Sequence, residues 1–299
     1  MMTPNNESAE FMDTHEVASY LRLKERKIYS LVREKSIPCV RVSGKWLFPR
    51  TAVDAWLAEK AGSAAVLRLR SPMIAAGSHD PLLEWCLRRL GGRIAGLPGT
   101  SRDGIARVAA GEAVFAGVHL LDVESGEYNV RQVNAALASQ DVVLIEWAWR
   151  EQGLIVPAGN PLSLRSLSDV VHRSARVALR QEGAGSRELF DWLLTKEGFR
   201  TQDLLVGQPA LNEMEIGLAV LEGTADSGLA VGSVARSLKL DFVPLHRERF
   251  DLVIHRQAYF EPVLQDLFAL ARSREARVKA EALGGYDLSH HGAVRWNAP

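Results

Sequence analysis

Two short amphipathic helices are predicted near the start of the chain, because apolar residues recur there every three or four positions. The apolar positions of the two helices are Val17, Ala18, Leu21, Ile28, Leu31 and Val32. The first helix is expected to have Thr14 as its N-cap, and the second is expected to run from Glu25 to Lys35. Two such helices joined by about three residues are the sequence form of a helix-turn-helix.

The pattern then changes from helical spacing to short β-rich runs. Residues 37–42 and 45–48 flank a Ser43-Gly44 turn, an arrangement typical of a β-hairpin. A third helix is expected from Pro49 through Leu57, since proline suits the first turn of a helix. Two helices, a hairpin and a third helix predict a winged helix-turn-helix domain over residues 1–60.

Beyond a short linker at residues 61–65, brief apolar runs alternate with helical spacing. This alternation predicts βα units, a mostly parallel sheet and an α/β fold for residues 66–299. The predicted strands are 73–76, 94–97, 113–118, 142–149, 153–156, 176–179, 242–245 and 251–254. Residues 260–283 are expected to be largely helical.

The charge distribution separates the two parts of the chain. The 299 residues carry 36 basic and 36 acidic side chains, so the formal net charge is zero. Residues 20–50, in contrast, hold nine basic residues against two acidic ones. Clustered Lys and Arg are what phosphate contact requires, so one basic end on a neutral chain predicts DNA binding. The alternative is a solvated charged face on a small helical domain.

Several function classes are not supported by the sequence. No apolar run approaches the ~20 residues that span a membrane, and residues 1–10 lack the basic and apolar segments of a secretory signal. Cys39 and Cys86 fall in different predicted domains without metal-ligand spacing, so both are expected to be free thiols. We therefore expect a cytoplasmic protein with no metal and no cofactor apart from a small-molecule effector.

Three turns between a predicted strand and the following helix carry Ser or Thr at the helix start: Ser78, Thr100-Ser101 and Ser186. Helix N-termini present free backbone N–H groups, so several of them around one cleft predict an anion site. The alternative is that each hydroxyl only caps its own helix. Gly183-Ala184-Gly185 is not a Walker phosphate loop, because no Lys follows it.

A resemblance strengthens the DNA-binding prediction. Its motifs are Thr14-x-Glu16-Val17-Ala18-x-Tyr20-Leu21, Ile28-Tyr29-x-Leu31, Ile37-Pro38, Arg41-Val42-x-Gly44-x-Trp46-x-Phe48-x-Arg50 and Val53-Asp54-x-Trp56-Leu57. Together they resemble the excisionase-type winged helices related to the MerR family. The resemblance implies a double-stranded DNA operator bound through Lys24, Arg26, Lys27, Ser30, Arg33, Arg41, Lys45 and Arg50. Arg26, Lys27 and Ser30 are expected to face the major groove.

The large part of the chain carries a second resemblance. Its motifs are Ala116-Gly117-Val118-His119-Leu120-Leu121, Gly183-x-Gly185-Ser186-Arg187, Glu222-Gly223-x-Ala225-Asp226-x-Gly228-Leu229, 240–245 and 251–254. They resemble type II periplasmic-binding-protein-like domains, in particular those related to molybdate-binding proteins. The resemblance implies a ligand site at Ser78, His79, Thr100, Ser101, Gly117, His119, Ser186, Arg187, Asp226 and Ser227. Arg187 could bind an anion or pair with Asp226.

The same resemblance implies two lobes with the ligand between them. The first lobe would comprise about 66–150 and 246–299, and the second about 151–245, with crossings near residues 152–157 and 240–250. Phe250 is expected where such proteins often have an aromatic hydroxyl, which puts a tight oxyanion cage in doubt.

These observations predict a ligand-responsive transcriptional regulator, expected to be a homodimer because operator half-sites match protein symmetry. Molybdate or tungstate is the first candidate for the effector and a small organic acid the second. An architectural excisionase-like protein whose large domain only dimerises is one alternative, and an enzyme with a DNA-targeting head is another. No catalytic set appears at a defensible spacing, so we expect no enzyme. The operator sequence and the direction of regulation stay open.

Overall fold

The computed structural model describes residues 11–60 and 71–299, which form two compact units. The predicted linker at 61–65 and the first residues of the predicted large domain lie outside the described residues. No described helix is both long enough and apolar enough to cross a membrane.

The small unit is a winged helix-turn-helix. Its elements are β1 (Phe11–Met12), α1 (Thr14–Tyr20), α2 (Glu25–Arg33), β2 (Val40–Val42), β3 (Lys45–Pro49) and α3 (Arg50–Lys60). The strands form one sheet in the order β1-β3-β2. Val17, Ile28, Phe48 and Val53 are fully buried between the helices and the sheet, so the predicted apolar faces do form the core.

Two predicted details of this unit are wrong. The N-cap of α1 is Asp13 rather than Thr14, because the Asp13 carboxylate accepts from the Glu16 backbone N–H and the Glu16 carboxylate accepts from that of Asp13, each at 2.8 Å. Pro49 ends β3 rather than starting α3, since it pairs with Phe11 of the unpredicted strand β1.

The large unit contains ten strands in one sheet, in the order β5-β4-β6-β11-β7-β10-β8-β9 with β12 and β13 added beside β7. The strands are β4 (Ile74–Gly77), β5 (Ala95–Pro98), β6 (Phe115–Val118), β7 (Val142–Val156), β8 (Arg176–Ala178), β9 (Leu205–Val206), β10 (Ser227–Val231), β11 (Asp241–His255), β12 (Tyr286–Asp287) and β13 (Val294–Asn297). The helices are α4 (Pro81–Arg89), α5 (Ser101–Ala109), α6 (Val130–Leu137), α7 (Leu167–His172), α8 (Gly185–Lys196), α9 (Glu213–Leu221), α10 (Gly232–Leu238), α11 (Pro262–Ala271) and α12 (Arg274–Leu283). Short 3-10 turns lie at Thr201–Asp203 and Ala258–Phe260.

Two 15-residue strands, β7 and β11, run through both halves of this unit and pair antiparallel along their length. On one side β11 pairs with β6 at residues 251–254, and on the other β7 pairs with β10 at residues 152–155. The first lobe is built on β4, β5 and β6, and the second on β8, β9 and β10. The strands cross between the lobes around Arg150 and Glu248, which pair with each other in register.

The sequence pattern predicts two separate strands in place of each long strand. Polar residues at 150–152 and 246–249 interrupt the apolar runs and therefore suggest loops. In the structure Arg150, Gln152 and Glu248 are buried and bind one another, so the polar residues continue the strands instead of ending them.

Candidate functional site

A cavity of about 240 Å³ lies between the two lobes of the large unit. Its walls come from the loops after β4, β5, β6 and β8, and from the start of α9. The lining residues are Ser78, His79, Pro98, Gly99, His119, Arg180, Ala184, Gly185, Leu211, Asn212, Glu213 and Glu215. Because ligands of open α/β sheets bind outside the carboxyl ends of the strands, this cavity is the candidate ligand site.

Hydroxyl groups organise the first-lobe wall of the cavity. The Ser78 and Ser101 hydroxyls lie 2.8 Å apart, and the His119 backbone N–H donates to the Ser101 hydroxyl at 3.2 Å. The Thr100 hydroxyl accepts from the Asp103 backbone N–H at 3.1 Å and so caps α5. Of the two predicted serines, Ser78 therefore lines the cavity and Ser101 is buried behind it, and their hydroxyls bind the loops to one another.

Gly117 is needed for packing rather than for ligand contact. Its carbonyl accepts from the Ser78 backbone N–H at 2.8 Å. A Cβ added to Gly117 would lie 2.5 Å from the Phe250 ring, so no larger residue fits unless Phe250 moves. Phe250 itself is fully buried and stacks beside the His119 ring.

Beneath the cavity lies a buried charge cluster, which consists of Arg150, Asp80, Glu248 and His119. The Arg150 guanidinium, 1% exposed, donates to Asp80 at 3.0 Å and to Glu248. Glu248 also bonds with the His119 Nδ1 at 2.8 Å. Burial would raise the pKa of Glu248, but the nearby Arg150 and His119 outweigh it and hold that pKa at about 2.

Asp80 connects this cluster to helix α4. One carboxylate oxygen accepts from the Leu83 backbone N–H at 2.7 Å and the Trp147 indole at 3.0 Å; the other accepts from the Tyr286 hydroxyl at 2.7 Å. Its neighbour His79 lines the cavity and bonds with Glu84 at 2.7 Å through Nε2. Asp80 thus fixes the loop that carries His79.

The second-lobe wall contributes an arginine that the sequence prediction missed. Arg180 follows β8, is half-buried and lines the cavity; its Nε donates to the Gln181 side chain at 3.2 Å. Within residues 11–60 and 71–299, its two terminal nitrogens have no hydrogen-bond or ion-pair partner. Burial lowers the pKa of Arg180, although Glu213 and Glu215 act in the opposite direction. Because an arginine stays charged at neutral pH, the guanidinium is available to an anion.

Two carboxylates beside Arg180 are already bound within the protein. Glu213 accepts from the Gln152 side chain and the Val231 backbone N–H, both at 3.0 Å. Glu215 accepts from the Leu211 backbone N–H at 2.6 Å and the Asn212 side chain at 2.8 Å. They position the start of α9 at the cavity while adding negative charge to its wall.

The start of α8 brings the lobes into contact. Its N-cap, Ala184, makes no side-chain cap bond, and Ser186 is 2% exposed with no partner for its hydroxyl among the described residues. A Cβ added to Gly185 would lie 3.0 Å from the His119 carbonyl oxygen. Glycine at 185 therefore permits close approach of the second lobe to the first.

Three other predicted ligand residues are placed away from the cavity. Asp226 and Ser227 lie at the amino end of β10, whereas the carboxyl end of β10 pairs with Gln152 near the cleft. Asp226 accepts from Arg176 at 2.7 Å, and Arg187 donates to Asp191 at 2.9 Å. The suggested Arg187–Asp226 pair is therefore wrong. The strands β8 and β10 are parallel, and ligands bind at the carboxyl ends of parallel strands. Residues that precede these strands therefore lie at the edge of the sheet away from the ligand.

The missed residues left a partial signal in the sequence. Arg180 follows the apolar run 176–179 at the carboxyl end of a predicted strand, a position where ligand contacts are expected. Asn212 is followed by Glu213 and Glu215, a pattern typical of an N-cap residue before an acidic first helical turn. Arg150 and Glu248 gave no such signal, because their partnership depends on the pairing of β7 with β11.

The small unit presents the predicted basic residues on α2 and on the β2–β3 wing. Lys24, Arg26, Lys27 and Arg33 are exposed around α2, and Arg41 and Lys45 are exposed on the wing. Ile28 is fully buried, so the opposite face of α2 is the one that packs. The Ser30 hydroxyl bonds with Glu34 at 2.6 Å, and Arg50 lies over the Tyr20 ring. This surface could contact phosphates.

The described residues contain no group of three or more His, Cys, Asp or Glu side chains that could hold a metal ion. Cys39 and Cys86 are free, and burial raises the pKa of Cys86 to about 12, so its thiol is protonated at neutral pH. The cavity wall itself offers hydrogen-bonding groups, the Arg180 guanidinium and the carboxylates of Glu213 and Glu215.

Comparison with protein families defines the class first: residues 11–61 match a helix-turn-helix domain, and residues 87–272 match the PBP superfamily domain. The chain thus joins a DNA-binding helix-turn-helix to a ligand-binding fold. Since the second match covers more than half of its length, the chain belongs to the PBP superfamily domain family. The type II periplasmic-binding-protein-like fold expected from the sequence is confirmed.

The chain is also similar to individual proteins. The chain is 23% identical over 296 residues to the uncharacterized protein YvgK of Bacillus subtilis, covering 93% of this chain and 96% of YvgK. A protein encoded in the 5' region of a 2Fe-2S ferredoxin gene of Clostridium pasteurianum is 35% identical over 86 residues, 28% of this chain and 74% of that protein. The sulfate-binding protein SubI of Mycobacterium tuberculosis has a similar fold, with TM-score 0.52 and 15% identity, covering 71% of this chain and 84% of SubI.

Proposed function

We propose that this protein is a ligand-responsive transcriptional regulator of the cytoplasm that binds operator DNA as a homodimer and senses a small anion. The observation that carries the proposal is the Arg180 guanidinium in an interlobe cavity of a chain that also has a helix-turn-helix; its two terminal nitrogens have no partner in the part of the chain that the structure describes. The proposal assigns no catalytic activity to the chain.

Closure of the lobes is the proposed response to the ligand. Arg102 of α5 in the first lobe donates two hydrogen bonds to Glu188 of α8 in the second, at 2.9 and 3.3 Å. A ligand bound between the lobes would add contacts that only the closed arrangement makes, and would therefore shift the population toward it. In a dimer, that shift would change how two DNA-binding units fit two half-sites.

A molybdate or tungstate oxyanion and a small organic acid are the two candidate ligand classes, and both are anions that an arginine can bind. SubI, whose fold is similar, is described as a sulfate-binding protein. Serine hydroxyls at helix starts favour an oxyanion, whereas Arg180 is a good partner for a carboxylate.

The DNA-binding half of the proposal is tested with Arg26→Ala combined with Lys27→Ala. The operator is first selected by the wild-type full-length protein from random DNA, and affinity is then measured by fluorescence anisotropy. We expect the double variant to lose about 100-fold or more, because both residues lie on the exposed face of α2. Thermal unfolding in the presence of ligand should show the same stabilisation as wild type.

The matched control is Arg88→Ala combined with Arg89→Ala, which removes two exposed arginines from α4 of the large unit. This control should retain wild-type operator affinity, because it changes net charge equally without altering α2. Undiminished operator binding by the Arg26 and Lys27 double variant would contradict the assignment of α2 as the recognition helix.

A further inference from the structure

We infer that the interlobe cavity recognises a small organic acid with a single carboxylate and additional hydrogen-bond donors, and that Arg180 binds its carboxylate group. The inference rests on the proposed function and narrows its ligand from two classes of anion to one. Three observations support it: the contrast between Arg176 and Arg180, the charges around the cavity, and the cavity volume.

Arg176 begins β8, Arg180 lies two residues after its carboxyl end, and the two arginines differ in their partners. At the amino end, the Arg176 guanidinium forms two bonds to the Asp226 carboxylate, at 2.7 and 3.0 Å. At the carboxyl end, the terminal nitrogens of Arg180 have no partner within the described residues, although Arg180 is half-buried. The nearby Glu213 and Glu215 are bonded to other groups, so a ligand carboxylate that bonds the partly desolvated guanidinium directly would be bound favourably.

The backbone and the side chain of Arg180 are held in place before a ligand arrives. The residue pairs with Ala210 in an isolated parallel bridge, and its carbonyl accepts from the Arg187 guanidinium at 3.3 Å. Its Nε is fixed by the Gln181 side chain at 3.2 Å. The two terminal nitrogens are thus left as a preorganised fork, which matches the two oxygens of a carboxylate.

The charges on the cavity wall favour a singly charged ligand. Glu213 and Glu215 line the cavity beside Arg180, so a doubly charged oxyanion would meet two carboxylates and one guanidinium. Like charges at such close range disfavour binding. A monocarboxylate needs only Arg180, and a hydroxyl or ammonium group at its other end can donate to the remaining lone pairs of the two glutamates.

The cavity volume agrees with a small metabolite. At about 240 Å³ the cavity is slightly smaller than the ~300–1,000 Å³ pockets of drug-sized ligands. Polar groups are present on both walls, with the imidazoles of His79 and His119 opposite Arg180 and Asn212. A compact hydroxy or amino acid could therefore use both lobes at once, which binding-induced closure requires.

The test is calorimetric titration of full-length protein with L-lactate, D-glycerate and L-serine, and with sodium molybdate and sodium tungstate. Methyl L-lactate is included because it retains the hydroxyl and lacks the carboxylate. Each compound is titrated into wild type, Arg180→Gln and the control Arg176→Gln. The control removes an arginine from the same strand at the end where Asp226 neutralises it.

We expect at least one of the three acids to bind wild type and Arg176→Gln alike, and to bind Arg180→Gln about 10- to 100-fold more weakly. The methyl ester should bind none of them. Binding of molybdate or tungstate in place of the acids, or acid binding unchanged in Arg180→Gln, would overturn the inference and leave ligand sensing intact. Binding of no compound to any variant would contradict both the inference and the sensing function.

Discussion

The winged helix and the crossing strands of the large unit use arginine in opposite ways. In the winged helix, Arg26 and Arg33 are exposed on α2, and no carboxylate pairs with them within the described residues. At the crossing of β7 and β11, Arg150 is buried between Asp80 and Glu248 and lies over the Phe250 ring at 4.3 Å. The exposed arginines can therefore bind a partner molecule, whereas the buried arginine holds the crossing strands in position.

Arg180 combines properties of both regions, and this combination is informative. Its side chain is half-buried, between the exposed Arg26 and the buried Arg150, yet within the described residues its terminal nitrogens have no partner. The role of each arginine therefore follows from whether a carboxylate of the same fold pairs with it. The sequence around the arginine says less about that role. Four substitutions test the roles assigned to these regions.

The largest effect is expected from Arg150→Met. This change leaves Asp80 and Glu248 buried without their counter-ion, and breaking such a pair costs about 3–5 kcal/mol. Urea unfolding should show that loss in the free energy of unfolding. Arg131→Met is the control, because Arg131 is 61% exposed and its ion pairs contribute at most about 1 kcal/mol. Equal losses for the two variants would remove the distinction between buried and exposed arginine.

Gly185→Ala tests whether the lobes must approach closely. The new Cβ would lie 3.0 Å from the His119 carbonyl oxygen, and overpacking of this kind costs about 1–3 kcal/mol. We expect ligand affinity to fall by that amount while the stability of the ligand-free protein changes little, because the open arrangement relieves the contact. Gly183→Ala is no suitable control, since Gly183 has a positive φ of 80°. Gly207→Ala is suitable, because an added Cβ there would meet no described atom within 4 Å, and it should bind normally.

The buried charge cluster also predicts a pH dependence. Arg150 and His119 hold the pKa of Glu248 below its ordinary value of 4.5, at about 2, despite burial. A depressed carboxyl pKa contributes stability that is complete above the ordinary value and is lost as the pH falls toward the folded-state value. The difference in unfolding free energy between wild type and Glu248→Gln should be constant above a pH of about 5 and shrink below it. A difference that grows on acidification would contradict the assigned partners.

The smallest effect is expected on the wing. Lys45→Ala removes one exposed cation, so the slope of log affinity for DNA against log salt should decrease by about 0.9. Anisotropy titrations at several salt concentrations measure that slope. The control is Arg131→Ala. Lys239→Ala would be unsuitable, because Lys239 adopts a positive φ of 56°. An unchanged slope for Lys45→Ala would mean that the wing does not contact phosphate.

The sequence predicted the winged helix closely because its signals are local. Helical spacing at Val17 and Ile28 and the Ser43-Gly44 turn each act over a few residues. The errors were confined to element ends at Asp13, Arg33 and Pro49 and to the missed two-residue strand β1. The ligand site was predicted only in part. Ser78, His79, His119 and Ser101 lie at or beside the cavity, whereas Asp226 and Ser227 lie at the other end of β10.

The remaining part of the site could not be found without knowing which strands pair. Arg150 and Glu248 are 98 residues apart and meet only because β7 and β11 run antiparallel in register. The availability of Arg180 depends on Asp226 lying at the far end of β8, beside Arg176. Sequence spacing gives the residue types near a cleft, but the balance of their charges is a property of the fold.

The central claim is that occupancy of the interlobe cavity changes DNA binding. The most direct test is the affinity of the full-length protein for its selected operator, measured by anisotropy with and without a saturating concentration of the acid that binds the cavity. We expect a change of about 5- to 150-fold in wild type and none in Arg180→Gln at the same ligand concentration. Identical operator affinity of wild type with and without bound ligand would contradict it.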